Sequence, residues 1–296
     1  MRKRTLPNGM VAVVLLLAAA LTPTPAVAAA APPTVGAGAV MPHLTALQEI
    51  ADRNGGTRAA GTSGYTESVR YVKGVLDRAG FRTRIDEFVY VDEKGVRHTS
   101  QNVIADWPGG DDNDVVMVGA HLDSVPAGPG INDNGSGAAA VLATAEAVAR
   151  AHLVSRRHLR FAWWGAEELG ELGSAAYLEH LPSRQRKAIG AYLNFDMTGI
   201  DTTGMWLVVD TGDGLAKGFY DYFAAHDIPT WDIGVGSSDH VSFAERGIPV
   251  SGFTTGIDAC YHLACDRLEN ISPTVQTTST NAIIYALWGL SDGKRS

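Results

Sequence analysis

Side chains of the kinds that bind metal ions recur in four short segments of this sequence. The segments are His121-Leu122-Asp123, which Asp133 follows closely, then Glu167-Glu168, Asn194-Phe195-Asp196 and Cys260-Tyr261-His262. Together they offer imidazole nitrogens and carboxylate oxygens, a ligand set that suits zinc. Each segment alone is ordinary, because acids and histidines are common where loops begin. Several carboxylates brought together would repel one another unless a cation joined them, so the combination predicts a zinc site.

The first of these segments follows an apolar run, residues 115–120, which is typical of a buried strand. His121 would stand at the carboxyl end of that strand, where open α/β sheets keep their ligands. Side chains alternate along an extended chain, so Asp123 would point to the same side as His121. Asp123 could then accept one imidazole proton and aim the other ring nitrogen at a metal. Asp133 lies in a Gly/Asn-rich loop, where glycine lets backbone segments approach closely.

Strands and helices alternate along the rest of the chain. We predict strands at 81–91, 101–106, 114–120, 159–164, 191–195, 206–210 and 248–253, and helices at 42–53, 65–79, 138–150, 171–180, 183–188, 214–226 and 274–290. This alternation is typical of an α/β fold. We therefore expect a single domain with a mixed, mostly parallel central sheet and helices on both of its faces.

The amino terminus predicts export from the cell. Residues 1–28 have a basic start, an apolar core at 10–21 and a small-residue cleavage sequence that ends at Ala28, which is typical of a secretory signal peptide. The apolar run is short for a membrane span. Residues 29–40 are rich in Ala, Pro and Gly and predict a flexible segment. The folded domain is expected at 41–296, in a secreted protein that has no membrane partner once the signal is removed.

Composition and cysteine content limit the partners further. The 296 residues carry a formal net charge of −8, which argues against nucleic acid or an anionic membrane as a partner. Cys260 and Cys265 are the two cysteines of the chain. In an exported protein they are expected to pair, which would fix Tyr261 and His262 between the two sulfur atoms.

The motifs resemble those of the M28 family of dizinc aminopeptidases. The matching segments are His-Leu-Asp-Ser, Gly-Ile-Asn-Asp-Asn-Gly-Ser-Gly, Phe-Ala-Trp-Trp-Gly-Ala-Glu-Glu, Leu-Asn-Phe-Asp-Met, Ser-Asp-His and Cys-Tyr-His. They follow the family's order over nearly the whole mature chain and are most similar to the secreted streptomycete-type aminopeptidases. The resemblance implies a zinc-exopeptidase fold and an enzyme that hydrolyses the N-terminal peptide bond of peptides or proteins with a free N-terminus.

The resemblance also implies which residues bind metal. It predicts two Zn²⁺ ions per chain, with His121 and Asp196 on one ion and Glu168 and His262 on the other. Asp133 would bridge the two ions. Two zinc ions in such a site can polarise a scissile carbonyl and activate water.

The other motif residues take supporting or catalytic roles by the same resemblance. Glu167 would be the general base, Asp123 would orient a histidine ligand, and Tyr261 would donate a hydrogen bond to the oxyanion. Asp239 and His240 are expected to support the ligands without binding metal. Glu167 could serve separately from its neighbour Glu168, since adjacent side chains leave an extended backbone in different directions.

Two alternative functions remain open on the sequence. A glutaminyl-cyclase-like transferase would share the fold, and a fold does not determine a function. A catalytically inactive extracellular binding module would be expected to lack a ligand or the base, whereas each expected residue is present. Rival hydrolase motifs, such as H-E-x-x-H or a serine with the nucleophile-elbow glycines, do not occur in the sequence.

Overall fold

A mixed eight-stranded sheet forms the centre of the described chain. The computed structural model describes residues 31–92, 94–202 and 204–291, together with Met1. The strands are β1 (Arg82–Val91), β2 (Arg97–Asp106), β3 (Asp111–His121), β4 (Arg157–Trp164), β5 (Ile189–Phe195), β6 (Trp206–Val209), β7 (Thr230–Asp232) and β8 (Val250–Thr254). Their order across the sheet is β1-β2-β4-β3-β5-β8-β6-β7. From Ala31 onward the chain forms one compact unit.

Four neighbouring strands at the middle of the sheet, β4, β3, β5 and β8, run parallel. The strands β1, β2 and β6 pair antiparallel with their neighbours toward the two edges, and β7 pairs parallel with β6. Parallel strands end at the same edge of a sheet, so His121, Trp164 and Phe195 close their strands side by side. The sheet therefore brings the predicted segments that follow these strands to one edge, as ligand sites of α/β sheets require.

Helices cover both faces of the sheet. They are α1 (Ala37–Arg53), α2 (Ser63–Arg78), α3 (Gly137–Arg150), α4 (Leu172–His180), α5 (Ser183–Ala188), α6 (Lys217–Ala225), α7 (His240–Ala244) and α8 (Pro273–Ser291). Strand β3 shows why both faces need cover: Val116 and Val118 belong to one core cluster, whereas Val115 and Met117 belong to the other. The α/β fold predicted from the sequence, with a mixed sheet between helices, is confirmed.

The first helix begins earlier than the sequence predicts. The boundary placed at residue 40 lies too late, because α1 starts at Ala37 and Val40 is fully buried. Val40 continues the stripe of Leu44 and Leu47 at helical spacing, which the Ala/Gly-rich composition hides. Before the helix, Val35 exchanges two hydrogen bonds with the Asn281 side chain of α8, at 2.8 and 3.0 Å. The predicted signal peptide lies outside the described residues, apart from Met1.

Two short elements were not predicted, β7 with 3 residues and α7 with 5 residues. Neither is long enough to develop a hydrophobic period that could be recognised in a sequence. The helix α7 matters for the site, since it begins at His240, directly after Asp239. Among the described residues, no helix has the length and apolar character needed to cross a membrane.

Candidate active site

His121 lies at the end of β3 and is surrounded by acids. Its Nε2 atom lies 3.3 Å from Asp133 Oδ1, 3.4 Å from Asp196 Oδ1 and 3.8 Å from Glu167 Oε2. The imidazole is buried, with 1% of the residue exposed. The apolar run of β3 thus delivers His121 to the carboxyl edge of the sheet, where the other predicted segments converge on it.

Asp123 contacts His121 differently from the expectation. The nearer partner of His121 Nδ1 is the backbone carbonyl of Asp123, at 3.2 Å, whereas the carboxylate Oδ1 lies 3.7 Å away. That carboxylate oxygen accepts a hydrogen bond from the Glu167 backbone N–H at 3.2 Å. Asp123 therefore holds the ring through its backbone and places the start of the Glu167 turn with its side chain.

Asp133 faces both histidines of the site. It lies in the turn Ile131–Ser136, which Gly130 enters with a left-handed φ of 61°. One carboxylate oxygen, Oδ1, lies 3.3 Å from His121 Nε2, and the other, Oδ2, lies 3.1 Å from His262 Nε2. A single carboxylate thus faces two imidazoles, one at each of its oxygen atoms.

Glu167 and Glu168 stand on a tight turn rather than on extended chain. Ala166 adopts a left-handed φ of 59°, and a single 3₁₀ turn, Glu167–Leu169, follows it. The expectation of extended backbone is therefore wrong, because the chain turns immediately after β4. The two side chains still separate: Glu167 Oε2 approaches His121, whereas Glu168 Oε2 lies 3.0 Å from His262 Nε2.

Asp196 follows β5, and a line of hydrogen bonds orients its carboxylate. Ser238 Oγ donates to Asp196 Oδ2 at 2.8 Å and accepts from Asn194 Nδ2 at 3.0 Å. Tyr192 OH donates to Asn194 Oδ1 and accepts from the indole of Trp164, both at 2.6 Å. The serine occupies one Asp196 oxygen and leaves the other, Oδ1, facing His121. Sequence reasoning quoted Ser238 within a motif and did not assign this role to it.

Tyr261 and His262 are presented by the disulfide loop. Cys260 and Cys265 form the predicted bond. The rings of Tyr261 and His262 stack with centroids 3.8 Å apart, and the backbone of His262 has a positive φ of 59°. Tyr261 is 38% exposed, so part of its side chain can be reached from solvent.

The pKa values in this cluster are shifted because several acidic side chains are buried close to one another. Burial raises the pKa of Glu167 to about 10 and that of Glu168 to about 8, and neighbouring aspartates add to both shifts. Burial alone would lower the pKa of His121, yet Glu167 and Asp196 raise it well above its usual value. Without a cation the cluster would therefore have to take up protons to limit the repulsion between its acids.

The donor atoms themselves fit a metal ion. His121 Nε2, Glu168 Oε1 and Asp196 Oδ1 are buried and have no hydrogen-bond partner among the described residues. Buried polar atoms are ordinarily paired, so such a group of unpaired atoms requires an explanation. His121, Asp133 and Glu168 offer ligand atoms that lie within 4.8 Å of one another, as do His121, Glu167 and Asp196. The site can therefore hold cations, and it has the imidazole and carboxylate ligands of zinc proteins.

Asp239 and His240 stand at the start of α7, and the charge of Asp239 contributes to the raised pKa of Glu167. Asp239 is fully buried, and burial raises its pKa to about 8. His240 Nε2 contacts the backbone carbonyl of Val235, which occupies that ring nitrogen. Neither residue belongs to a group of candidate ligands in the described chain.

Two further residues under the site escaped the sequence analysis. Arg58 is fully buried and donates to the carbonyls of Pro129 at 2.9 Å and Gly130 at 2.6 Å, and also to that of Leu122. Burial lowers the pKa of Arg58 to about 10, so it stays charged at neutral pH. Asp266 accepts hydrogen bonds from the backbone of the turn that carries Asp133. Both residues come from segments far away in the sequence, which explains why no local pattern indicated them.

Comparison with known proteins identifies relatives of the whole domain. The sequence model of peptidase family M28 matches residues 102–287. Leupeptin-inactivating enzyme 1 of Streptomyces exfoliatus is 45% identical over 299 residues, which cover 93% of this chain and 67% of that protein. An aminopeptidase of Pseudomonas aeruginosa is 38% identical over 224 residues, which cover 64% of this chain and 41% of that protein. The chain thus matches well under half the length of the Pseudomonas relative.

Solved structures show the same fold at low sequence identity. A zinc aminopeptidase from Bacillus subtilis superposes with a TM-score of 0.79 at 19% identity, covering 90% of this chain and 97% of that one. An aminopeptidase from Aneurinibacillus sp. strain AM-1 gives a TM-score of 0.75 at 18% identity, covering 86% of this chain and 94% of that one. The sequence match and the shared fold agree with the motif resemblance. This chain belongs to peptidase family M28.

Proposed function

We propose that this M28 peptidase is a secreted aminopeptidase that uses two zinc ions to hydrolyse the N-terminal peptide bond of peptides or proteins. The observation that carries the proposal is the position of Asp133, whose Oδ1 lies 3.3 Å from His121 and whose Oδ2 lies 3.1 Å from His262. A carboxylate between two histidines is the arrangement that a bridging ligand requires. The relatives named aminopeptidases support the same reaction.

The contacts support a division of the remaining candidate ligands between the two proposed zinc ions. Asp196 Oδ1 lies 3.4 Å from His121 Nε2, which favours one zinc held by His121, Asp196 and Asp133. Glu168 Oε2 lies 3.0 Å from His262 Nε2, which favours a second zinc held by Glu168, His262 and Asp133. Glu168 also offers a ligand atom within 4.8 Å of His121. Its 3.0 Å contact with His262 is the closer one, so we assign Glu168 to the ion that His262 would hold.

Glu167 is the proposed general base. Its Oε2 lies beside the candidate ligands, and the side chain is 14% exposed, so a water molecule could reach it. Burial raises its pKa to about 10 in the metal-free chain, and nearby cations would lower that pKa because they stabilise the carboxylate. The ionised group would take a proton from the attacking water and pass it to the leaving amine. Zinc, when bound, would polarise the scissile carbonyl and acidify the water.

Tyr261 is the proposed donor to the oxyanion. Burial raises its pKa to about 12, and Asp133 and Glu168 add to that shift, so the phenol keeps its proton at neutral pH. The exposed position of the ring beside His262 leaves the hydroxyl free to donate to developing negative charge. The disulfide loop would hold this donor against the candidate ligand His262.

The test compares free and N-acetylated aminoacyl anilides, with and without a chelator. The proposal predicts hydrolysis of the free substrates, loss of that hydrolysis on chelation and recovery with added zinc. Equal hydrolysis of acetylated substrates, or activity that survives complete removal of metal, would contradict it. A peptide with N-terminal glutamine, assayed in parallel, reports cyclisation if the glutaminyl-cyclase alternative is correct.

Secretion is tested separately from the chemistry. The sequence of residues 1–28 supports export and cleavage after Ala28. Protein expressed in a native-like bacterial host should collect in the medium with its amino terminus within a few residues of Ala29. Retention in the cells with an intact Met1 would contradict this part of the proposal.

A further inference from the structure

One residue from a distant segment fastens the backbone of the turn that carries Asp133. The Asp266 carboxylate accepts hydrogen bonds from the N–H of Asn132 at 2.7 Å and from the N–H of Asp133 at 2.9 Å. The Asp266 carbonyl accepts a third, from the N–H of Ile131, at 3.3 Å. Asp266 is 2% exposed, so water competes little for these bonds. One residue therefore accepts hydrogen bonds from three consecutive N–H groups of the turn.

Asp266 also belongs to the segment that presents His262. It directly follows Cys265, which closes the disulfide loop, and its own N–H donates to the carbonyl of Leu263 within that loop at 3.1 Å. The Asp133 turn and the His262 loop are thus connected twice. Asp266 connects their backbones, and the 3.1 Å approach of Asp133 Oδ2 to His262 Nε2 connects their side chains.

We propose that Asp266 is a positioning residue that joins the two halves of the metal centre. It holds the Asp133 turn against the His262 loop, so that the Asp133 carboxylate faces both histidines before any ion binds. The inference rests on the proposed function, because it assigns the Asp133 and His262 side chains to zinc. Asp266 itself contacts no candidate reacting atom and acts only through these two residues.

The chemistry of the contact requires a carboxylate. Its two oxygens accept from two separate N–H donors, and the negative charge strengthens both bonds. An amide in the same place would offer a single oxygen and would turn its own N–H₂ group toward the second donor. Asp266→Asn therefore keeps the size of the side chain but loses one of the two hydrogen bonds that the carboxylate accepts from the turn.

The test measures zinc affinity rather than activity, by competition with a chromogenic chelator. Asp266→Asn should lower the affinity for both ions by about 10- to 100-fold, the usual effect of losing a residue that orients metal ligands. The matched control is Asp92→Asn, because Asp92 Oδ1 also accepts two backbone N–H bonds, from Lys94 at 2.9 Å and Val96 at 2.8 Å. That carboxylate lies in the β1–β2 turn, which supplies no candidate ligand, so its variant should bind zinc like the wild type.

Wild-type affinity for either ion in folded Asp266→Asn would overturn the joining role. If the wild-type protein itself held no zinc tightly, the proposed function would fail instead, so the two failures are distinguishable. Amide hydrogen exchange on the zinc-free wild type provides a test that does not depend on the variant folding. The amides of Asn132 and Asp133 should be protected in that state, and free exchange at both would overturn the inference.

Discussion

Two clusters of charged side chains lie toward opposite ends of strand β4. The metal-site cluster (His121, Asp133, Glu167, Glu168, Asp196 and His262) lies at the carboxyl ends of β3, β4 and β5. The Asp106 cluster (Asp106, His158, Arg160 and Arg84) lies near the amino end of β4. In the Asp106 cluster every contact is short, with Asp106 Oδ1 at 2.7 Å from His158 Nε2 and 2.6 Å from Arg160 Nε, and Asp106 Oδ2 at 3.1 Å from Arg84 Nη1.

The two clusters differ in the source of the positive charge that balances their acids. Although burial alone would raise it, the hydrogen bond from His158 and the charge of Arg160 lower the pKa of Asp106 to about 2. In the metal-site cluster burial raises the pKa of Glu167 to about 10, and the neighbouring aspartates add to the shift. The chain supplies the cations for Asp106, whereas the other cluster lacks them. The comparison supports the proposal that the metal-site cluster binds cations from solution.

Asp133→Ala should give the largest effect on activity. Removing a carboxylate that contacts both histidines takes a ligand from each proposed ion, so metal content should fall and activity should drop to that of the chelated wild type. Metal analysis of the dialysed variant, combined with anilide hydrolysis, measures both. A variant that keeps two tightly held zinc ions would show that Asp133 is not the bridge.

Substitution of the neighbouring glutamates should separate chemistry from metal binding. Glu167→Gln keeps the shape but removes the base, so we expect kcat to fall by about 10²–10⁴-fold with zinc content unchanged. Glu168→Gln is the matched control, and it should weaken zinc binding instead. If both variants lose metal, or if Glu167→Gln keeps near-normal kcat, the base lies elsewhere.

Tyr261→Phe should have a smaller effect on kcat, about 10²-fold, the lower range for loss of one oxyanion donor. Because the hydroxyl is proposed to act on the tetrahedral state, KM should change little. Steady-state kinetics on one anilide separates the two parameters. A rise in KM alone would make Tyr261 a substrate-binding residue.

Asp106→Asn should leave activity and zinc content unchanged, within about twofold. It should destabilise the fold by about 3 kcal/mol, because losing one partner leaves the other charges of a buried ion pair unpaired. The folded-state pKa of about 2 lies below the ordinary 3.8, so this stabilisation is present above about pH 4 and is lost as the pH falls toward 2. Urea unfolding of both proteins between pH 7 and pH 3 should show the difference narrowing at the acid end. A difference that widens there would contradict the pairing.

The sequence predicted the parts of the site that follow long apolar strands. His121 ends such a strand and Asp196 directly follows another, and the parallel arrangement of β3 and β5 brings His121 Nε2 within 3.4 Å of Asp196 Oδ1. The direction of Glu167 was predicted on the wrong basis, because the residue that adopts the left-handed φ at this turn is Ala166 rather than a glycine. Local pattern thus locates the ligands but not the turns that aim them.

The residues that support the candidate ligands could not be predicted from the sequence, for a different reason. Arg58 lies in a Gly-rich stretch whose composition is typical of a loop, yet it is fully buried and donates to the carbonyls of Leu122, Pro129 and Gly130. Ser238 and Asp266 act on partners 42 and 134 residues away in sequence, at Asp196 and Asn132. Hydrogen bonds over such separations leave no periodic trace, so only the folded chain reveals them.

Zinc titration of the chelated protein tests the central claim most directly. Metal-free protein would receive zinc in steps, with bound metal and hydrolysis of one free aminoacyl anilide recorded at each step. The account predicts tight binding that saturates at two zinc ions per chain, with full activity reached only when both have bound. Saturation at one ion with full activity, or full activity before any zinc is added, would contradict it.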